Sequence, residues 1–280
     1  MPLNSKMSNL TTRTIFGLLF AVAMVGTILF SSALFFLLML FFVFEGAREM
    51  VRLHNSVKFT PNERTFFLFN ALLPYLLASA VAAGLVKTNW LILSFFPLLI
   101  PYIHALFSKK RQAATILVVH WQNLIFIALP ASLMIFLQRG TYPEGIAGPY
   151  LLLSVILLIW INDIFAYLSG ISLGRHKLFS RISPKKTWEG SLGGLIACIA
   201  AAWALAQYTN WIETWSAIPL ALIIVVSGSF GDLVESMLKR QSGIKDSGKL
   251  LPGHGGVLDR FDATFFSMPF VFAYLYLINQ

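Results

Sequence analysis

The sequence predicts an all-α, polytopic transmembrane helix bundle, and three observations carry that prediction. Hydrophobic residues make up 57% of the 280 residues and charged residues only 12%, with a mean hydropathy of +0.74. A soluble domain usually holds about 25% charged residues. Apolar runs of about 20 residues, the length that crosses a bilayer, recur along the chain, and the basic residues lie between those runs. These features exclude an ordinary soluble domain.

The apolar runs divide the chain into nine predicted helices, the first two separated by a tight turn near Gly26–Ser32. We expect an N-terminal region, residues 1–150, with five transmembrane helices. The C-terminal region, residues 151–280, holds four more helices, cytoplasmic loops and the candidate chemistry. The predicted helices are 14–29, 31–47, 66–86, 90–107, 113–137, 149–172, 190–208, 217–240 and 261–279.

The N-terminus has some features of a signal peptide, because Lys6 and Arg13 precede an apolar run that ends near the small residues Ser31, Ser32 and Ala33. The apolar character nevertheless continues through to Phe44. We therefore favour a retained first hairpin over a cleaved leader.

The basic residues predict the orientation, because Lys and Arg accumulate in short cytoplasmic loops. With the N-terminus placed inside, 19 of the 21 Lys and Arg fall on the inner side and only Lys87 and Arg139 fall outside. Nine spans would then place the C-terminus outside, in a protein integral to the cytoplasmic (inner) membrane.

The net charge of +9 resides in the loops that flank apolar helices, where anionic lipid headgroups are nearer partners than nucleic acid. We therefore expect a lipid bilayer and no nucleic acid among the partners. The single cysteine, Cys198, lies within a predicted helix, so the chain can form neither an internal disulfide nor a thiolate metal site.

Polar residues concentrate after residue 150, where carboxylates appear inside or at the ends of apolar segments. Ionisable groups are costly there, so they suggest function. In the first cluster, Asp163, Tyr167, Gly170 and Gly174 share one helix face, which joins a carboxylate to a surface small enough for close helix approach. A structural Asp, paired with Lys or Arg, is an equally good interpretation.

The second cluster, Ser183–Gly190, is a basic loop that leads into a helix. Ser183 before Pro184 is a plausible helix start, and Lys185 and Lys186 can neutralise phosphates. Basic loops beneath a membrane more often act only as topology determinants, so this cluster alone is a weak signal.

The third cluster is the strongest, because it places many charged groups within about thirty residues. On one helix, Asp232, Glu235, Ser236, Lys239 and Arg240 fall on a single face. Asp259 and Asp262, three residues apart, share a face at the start of the last helix. The alternative, a set of structural salt bridges, is weaker because exposed ion pairs contribute little stability.

Carboxylates without a Cys or His set suit a hard cation such as Mg²⁺, which binds a few carboxylates together with substrate phosphates. Lys239, Arg240, Lys245 and Arg260 supply the positive charge that a departing polyphosphate needs. Residues Gly253–Gly256 allow backbone amides to approach an anion, although no Walker A motif is present. The combination indicates phosphoryl or nucleotidyl transfer.

The run from Ser236 to Asp262, S-M-L-K-R-Q-S-G-I-K-D-S-G-K-L-L-P-G-H-G-G-V-L-D-R-F-D, resembles the signature of the phosphatidate cytidylyltransferases, the CDP-diacylglycerol synthases. The S-P-K-K-T-W-E-G run at 183–190 and the Asp163 helix are also similar to that family. The resemblance covers about residues 160–265. It implies a Mg²⁺-dependent transfer of CMP from CTP to phosphatidate on the cytoplasmic face, giving CDP-diacylglycerol and pyrophosphate in phospholipid biosynthesis.

The resemblance also implies roles for individual residues. Asp232 and Asp259 would be the metal carboxylates, and a second cation, with K⁺ as one candidate, is compatible with the pattern. A homodimer is a further expectation from the family. The remaining catalytic positions would be Glu235, Ser236, Lys239, Arg240 and Asp262, and the substrate-binding positions would be Asp163, Lys185, Lys186, Lys245, Asp246, His254 and Arg260.

Four other functions compete with this one. A cytidylyltransferase acting on another lipid phosphate would share the pattern, whereas a CDP-alcohol phosphotransferase would carry a D-G…A-R…G…D…D motif that is absent here. A transporter would also hold intramembrane carboxylates, but usually with repeats and midplane sites. A non-catalytic scaffold would leave the acidic face without a purpose.

Overall fold

The structure, a computed structural model, describes residues 3–108, 113–140, 148–209, 211–250, 253 and 255–278, with the backbone alone for residues 3–10. Within these residues the chain forms ten α-helices and one β-hairpin. The helices are α1 Leu3–Phe30, α2 Ser32–Leu53, α3 Pro61–Ala82, α4 Phe96–Phe107, α5 Ala113–Gln122, α6 Leu129–Arg139, α7 Gly148–Leu173, α8 Trp188–Tyr208, α9 Thr214–Gln241 and α10 Leu258–Ile278. A 3₁₀ segment, Thr88–Phe95, leads into α4, and a π-helical turn, Asn123–Ala128, joins α5 to α6.

The prediction of a helical, polytopic membrane protein is confirmed. In the described part of the chain, eight helical segments are long and apolar enough to cross a membrane. They are Thr11–Phe30, Pro61–Ala82, Thr88–Phe107, Ala113–Arg139, Gly148–Leu173, Trp188–Tyr208, Thr214–Gln241 and Leu258–Ile278. The second predicted helix, 31–47, is present as α2 but is not one of these eight, because its C-terminal half carries Glu45, Arg48, Glu49 and Arg52.

A short hairpin departs from the purely helical prediction. Strand β1, Lys177–Phe179, pairs antiparallel with β2, Ser183–Thr187. The expectation that Ser183 and Pro184 begin a helix is therefore wrong. Helix α8 begins at Trp188 instead, where the Thr187 hydroxyl accepts a hydrogen bond from the Gly190 amide and caps the first turn.

The chain folds into two compact units. Unit 1 contains Met1–Ile135 and Gln241–Phe261, and unit 2 contains Phe136–Arg240 and Asp262–Gln280. Part of the unit 1 core is a cluster of buried side chains from α2, α3, α5 and the segment between α2 and α3: Val51, Phe59, Phe67, Ile116 and Val119. His104 and His120 hydrogen-bond each other at 2.8 Å beside Phe67. They are paired packing residues.

Unit 2 depends on a close crossing of α7 and α8. A Cβ atom on Gly194 would lie 2.9 Å from the Asn162 carbonyl oxygen, and one on Gly190 would lie 2.7 Å from that of Ala166. Small residues thus let the two backbones approach. The predicted close-approach surface of α7 is confirmed at Gly170, which lies against Gly190 and Thr187.

Candidate active site

The polar face of α9 forms as predicted, because residues four apart on a helix are neighbours. The Ser236 hydroxyl donates a hydrogen bond to Asp232 Oδ1 at 3.1 Å, and Lys239 forms an ion pair with Glu235. Glu235, Ser236 and Lys239 are buried, whereas Arg240 is exposed. Four of the five predicted catalytic residues of α9 therefore form two contacting pairs along one polar face in unit 2.

The β-hairpin brings a basic residue to this polar face. Lys186 Nζ lies 2.6 Å from Asp232 Oδ2, and the two side chains are 28% and 35% exposed. Asp232 thus accepts hydrogen bonds on both oxygens, from an ammonium group and from a hydroxyl. The neighbouring Lys185 is exposed to solvent. The two adjacent lysines, which the sequence pattern does not distinguish, therefore have different environments.

Helix α10 approaches α9 where Gly231 precedes Asp232. A Cβ atom on Gly231 would lie 2.4 Å from the Asp262 carbonyl oxygen and 2.6 Å from Phe266 Cβ. The side chain of Asp262 interacts electrostatically with Asp232, with Asp163 and with Lys239. Three acidic residues from α7, α9 and α10 and two lysines therefore belong to one region of unit 2, which we call the carboxylate–lysine cluster: Asp163, Lys186, Asp232, Lys239 and Asp262.

The carboxylate–lysine cluster can offer a cation only part of a coordination shell. Among the described residues, no three His, Cys, Asp or Glu side chains lie close enough together to hold a metal ion by themselves. Asp232 is the best-placed single ligand, because its carboxylate already holds the cationic group of Lys186. Such a partial set fits Mg²⁺, which keeps several waters and takes substrate phosphates as further ligands.

Glu189, which the sequence analysis left without a role, joins the hairpin to α8. Its carboxylate accepts hydrogen bonds from the backbone amides of Arg175 and His176 at 3.0 and 3.2 Å, and its Oε1 lies 2.6 Å from the His176 ring nitrogen Nδ1. Glu189 thereby fixes the start of the hairpin that carries Lys186. Its position directly after the S-P-K-K-T-W run was the only sequence signal for this role.

Asp259 lies in unit 1 and organises the loop that precedes α10. Its Oδ2 accepts hydrogen bonds from the Ser247 amide at 2.8 Å, the Ser247 hydroxyl at 3.0 Å and the Gly256 amide at 2.8 Å. These contacts hold Ser247 and Gly256 against the first turn of α10. Metal ligation by Asp259 stays a prediction.

Glu49 of α2 is a buried carboxylate that the sequence analysis missed. It accepts hydrogen bonds from the Val257 and Leu258 amides, both at 3.0 Å, and from the Ser247 hydroxyl at 2.9 Å. The only sequence signal for this role was that Glu49 is a carboxylate that follows an apolar run.

The structure leaves other predicted substrate-binding residues at the surface. Lys245, Asp246 and Arg260 in unit 1 are exposed, as is Asp163 in unit 2. His254 lies outside the described residues. Their substrate contacts stay predictions.

The fold and these side chains define a class: a polytopic helical membrane protein with acidic and basic residues gathered at the ends of its late helices. A family model described as the cytidylyltransferase family matches residues 11–278, so the chain belongs to that family.

Curated relatives are similar to part of the chain. A phosphatidate cytidylyltransferase of Staphylococcus aureus (strain COL) is 43% identical over 129 residues, which are 46% of this chain and 50% of the relative. One from Haemophilus influenzae is 44% identical over 134 residues, 46% of each protein. The chain thus matches about half the length of these curated relatives.

Proposed function

We propose that the protein is a phosphatidate cytidylyltransferase, which transfers CMP from CTP to phosphatidate and releases pyrophosphate. The observation that carries the proposal is the Lys186–Asp232 pair at the end of a membrane helix, in a chain of the cytidylyltransferase family. The names of the relatives from Staphylococcus aureus and Haemophilus influenzae support the same substrates. Phospholipid biosynthesis would use the product.

In this reaction, an oxygen of the phosphatidate phosphate forms a bond to the α-phosphorus of CTP. The bond from that phosphorus to the β-phosphate oxygen breaks, and pyrophosphate leaves with its electron pair. Since the nucleophile is already an anion, the protein does not need a strong general base. Phosphatidate keeps its acyl chains in the bilayer, so its phosphate meets CTP at the helix ends, where Lys186 and Asp232 lie.

We propose Mg²⁺ as the cofactor and Asp232 as one of its ligands. When bound, the ion would neutralise charge that develops on the nucleotide phosphates. Ser236 orients the Asp232 carboxylate through its hydrogen bond, and Lys186 offers a second positive charge beside it. Asp262 is a further acidic residue of the same cluster.

We further propose nine membrane crossings, with the N-terminus cytoplasmic and the active site on the cytoplasmic side. The contacts of unit 1 support α2 as the helix that brings the chain back across the membrane after α1. Arg13, in the first half of α1, bonds the Gly253 carbonyl at 2.8 Å, and Asn55, just after α2, bonds that of Ser242 at 2.9 Å. Both ends of the α1–α2 hairpin therefore lie beside the segment 242–253. At 22 residues, α2 is about 33 Å long, which suffices to cross the bilayer.

The decisive experiment measures turnover directly. Purified protein in detergent is incubated with radiolabelled CTP, phosphatidate and Mg²⁺, and the lipid fraction is counted. We expect a labelled lipid that requires phosphatidate, together with release of pyrophosphate. A folded protein that gives no labelled lipid would refute the proposal, and label transfer to a different lipid phosphate would favour the competing lipid cytidylyltransferase.

Asp232→Asn tests whether the reaction takes place at Asp232. We expect this variant to lose at least about 100-fold in turnover, because the neutral amide can neither hold a cation nor keep its ion pair with Lys186. Glu213→Gln, just before the opposite end of α9, is the matched control and should stay within about twofold of the parent. Equal turnover of parent and Asp232→Asn would remove Asp232 from the site.

A further inference from the structure

Glu49 links the N-terminal part of the chain to the loop before α10. It lies in the last turns of α2, and the side chain is 0% exposed. The backbone of Gly256 and Gly248 runs against it, because a Cβ atom on either glycine would lie within 2.3 Å of Glu49 Oε1. The loop can therefore close over this carboxylate only with glycine at both positions.

The hydrogen bonds of Glu49 are divided between its two oxygens. Oε1 accepts from the Val257 amide, whereas Oε2 accepts from the Leu258 amide and from the Ser247 hydroxyl. The amides belong to the start of α10, where amide groups have no partner within the helix. Glu49 thus acts as a cap supplied by another helix, although it is more than 200 residues away in sequence.

The Ser247 hydroxyl connects this cap to Asp259. Its oxygen lies 2.9 Å from Glu49 Oε2 and 3.0 Å from Asp259 Oδ2. The Ser247 amide also donates to Asp259 Oδ2 at 2.8 Å. The position of Asp259 therefore depends on Ser247, and the position of Ser247 depends in part on Glu49.

We propose that Glu49 is a positioning residue for the reaction: it holds Ser247, Val257 and Leu258 in place so that Asp259 and the first turn of α10 keep their working geometry. The inference rests on the proposed function and assigns to α2 a role in it. Glu49 does not touch substrate in this proposal. Its loss displaces these residues and with them Asp259, and misplacement of a group that takes part in a reaction costs about 10- to 100-fold in rate.

The test uses Glu49→Gln in the full-length protein. The Gln side chain is nearly the same size as that of Glu. Its NH₂ group, however, is a donor and would face N–H or O–H groups that need an acceptor. Glu45→Gln is the matched control, since Glu45 lies one turn earlier on α2 and pairs with Arg48 and Arg52. We expect kcat to fall about tenfold or more in Glu49→Gln, with KM for CTP within about twofold, and little change in Glu45→Gln.

A second readout follows the loop itself, independently of turnover. In a Cys198→Ala background, Val257→Cys places a thiol at a position that is 1% exposed, so its modification by a maleimide measures how readily Val257 and its neighbours open to solvent. We expect Glu49→Gln to speed that modification at least about fivefold and Glu45→Gln to leave it unchanged. Ser247→Ala, which keeps the bonds from Glu49 to Val257 and Leu258, should give a smaller acceleration.

The outcomes separate the proposal from its alternatives. Faster labelling with unchanged kcat would make Glu49 purely structural. A fall in kcat with unchanged labelling would mean that Glu49 acts on the reacting groups directly. Either result overturns the proposal that Glu49 is a positioning residue. Unchanged labelling and unchanged kcat overturn it as well. If the parent protein fails to use CTP, the proposed function fails, whereas the labelling comparison still reports whether Glu49 holds the loop.

Discussion

Lys185 and Lys186 are adjacent in the sequence but differ in their contacts, and this difference can be tested. Lys186 contacts Asp232 at 2.6 Å, whereas Lys185 is exposed. We expect Lys186→Met to lower turnover about tenfold or more, because a charge beside the reacting phosphates is lost from a partly shielded position. Lys185→Met removes the same charge from the same strand and should lower turnover less than about threefold, as for a solvated charge.

The measurement is the initial rate of labelled lipid formation for both variants at saturating CTP. Equal losses in the two variants would contradict the assignment and would indicate a general effect of positive charge at the membrane surface. Salt provides a control, because the effect of an exposed charge is screened at high ionic strength and that of a shielded pair much less.

How well the contacts of these residues could be predicted depends on how far apart the two partners lie in the sequence. Asp232 and Ser236 are four apart on one helix, so their hydrogen bond could be expected from helical geometry. The contact of Asp232 with Lys186 joins two elements, and neither local spacing nor propensity specifies it. Glu49 was harder to predict, since two of its three hydrogen-bond donors are backbone amides, which no side-chain pattern specifies.

At the scale of elements, the existence of each helix was predictable, but helix ends were not. The last helix was predicted from residue 261 and begins at Leu258, where Glu49 accepts the amide hydrogen bonds of the first turn. Helix α3 begins five residues before its predicted start, because Thr60 and Glu63 form a capping box ahead of the apolar run. The hairpin was missed because β1 has only three residues.

The crossing of α9 and α10 gives a prediction about packing. In Gly231→Ala, the new methyl group would lie 2.4 Å from the Asp262 carbonyl oxygen, so the helices must separate next to Asp232. We expect a loss of about 1–3 kcal/mol in stability and a fall in turnover. Gly228→Ala, one turn earlier, would place its methyl at 3.4 Å from Ser267 Oγ and should be nearly neutral.

Thermal unfolding in detergent, followed together with turnover, checks this pair of variants. The expected result is a lower midpoint and a lower rate for Gly231→Ala, with both values close to the parent for Gly228→Ala. If both variants resemble the parent, α9 and α10 do not cross at Gly231 as closely as the structure places them.

At the scale of the whole molecule, the number of crossings decides which side carries the chemistry. Eight segments meet the length and composition of a membrane span within the described residues, and α2 would be the ninth. The basic residues favour nine crossings, since this arrangement leaves only Lys87 and Arg139 outside. Length and composition do not count α2 among the spans, because its C-terminal half carries Glu45, Arg48, Glu49 and Arg52.

Single cysteines in a Cys198→Ala background test this arrangement through a membrane-impermeant maleimide on intact cells. Phe30→Cys, at a position 85% exposed in the turn between α1 and α2, and Lys87→Cys should react from outside. Ser56→Cys, after α2, and Arg181→Cys, in the hairpin beside Lys186, should react only after permeabilisation, because both lie in segments rich in Lys and Arg. If Phe30→Cys reacts only after permeabilisation while Ser56→Cys keeps the same side, α1 and α2 do not cross as a pair. If Arg181→Cys reacts from outside, Lys186 and Asp232 face away from the cytoplasmic supply of CTP, and the proposed reaction cannot take place there.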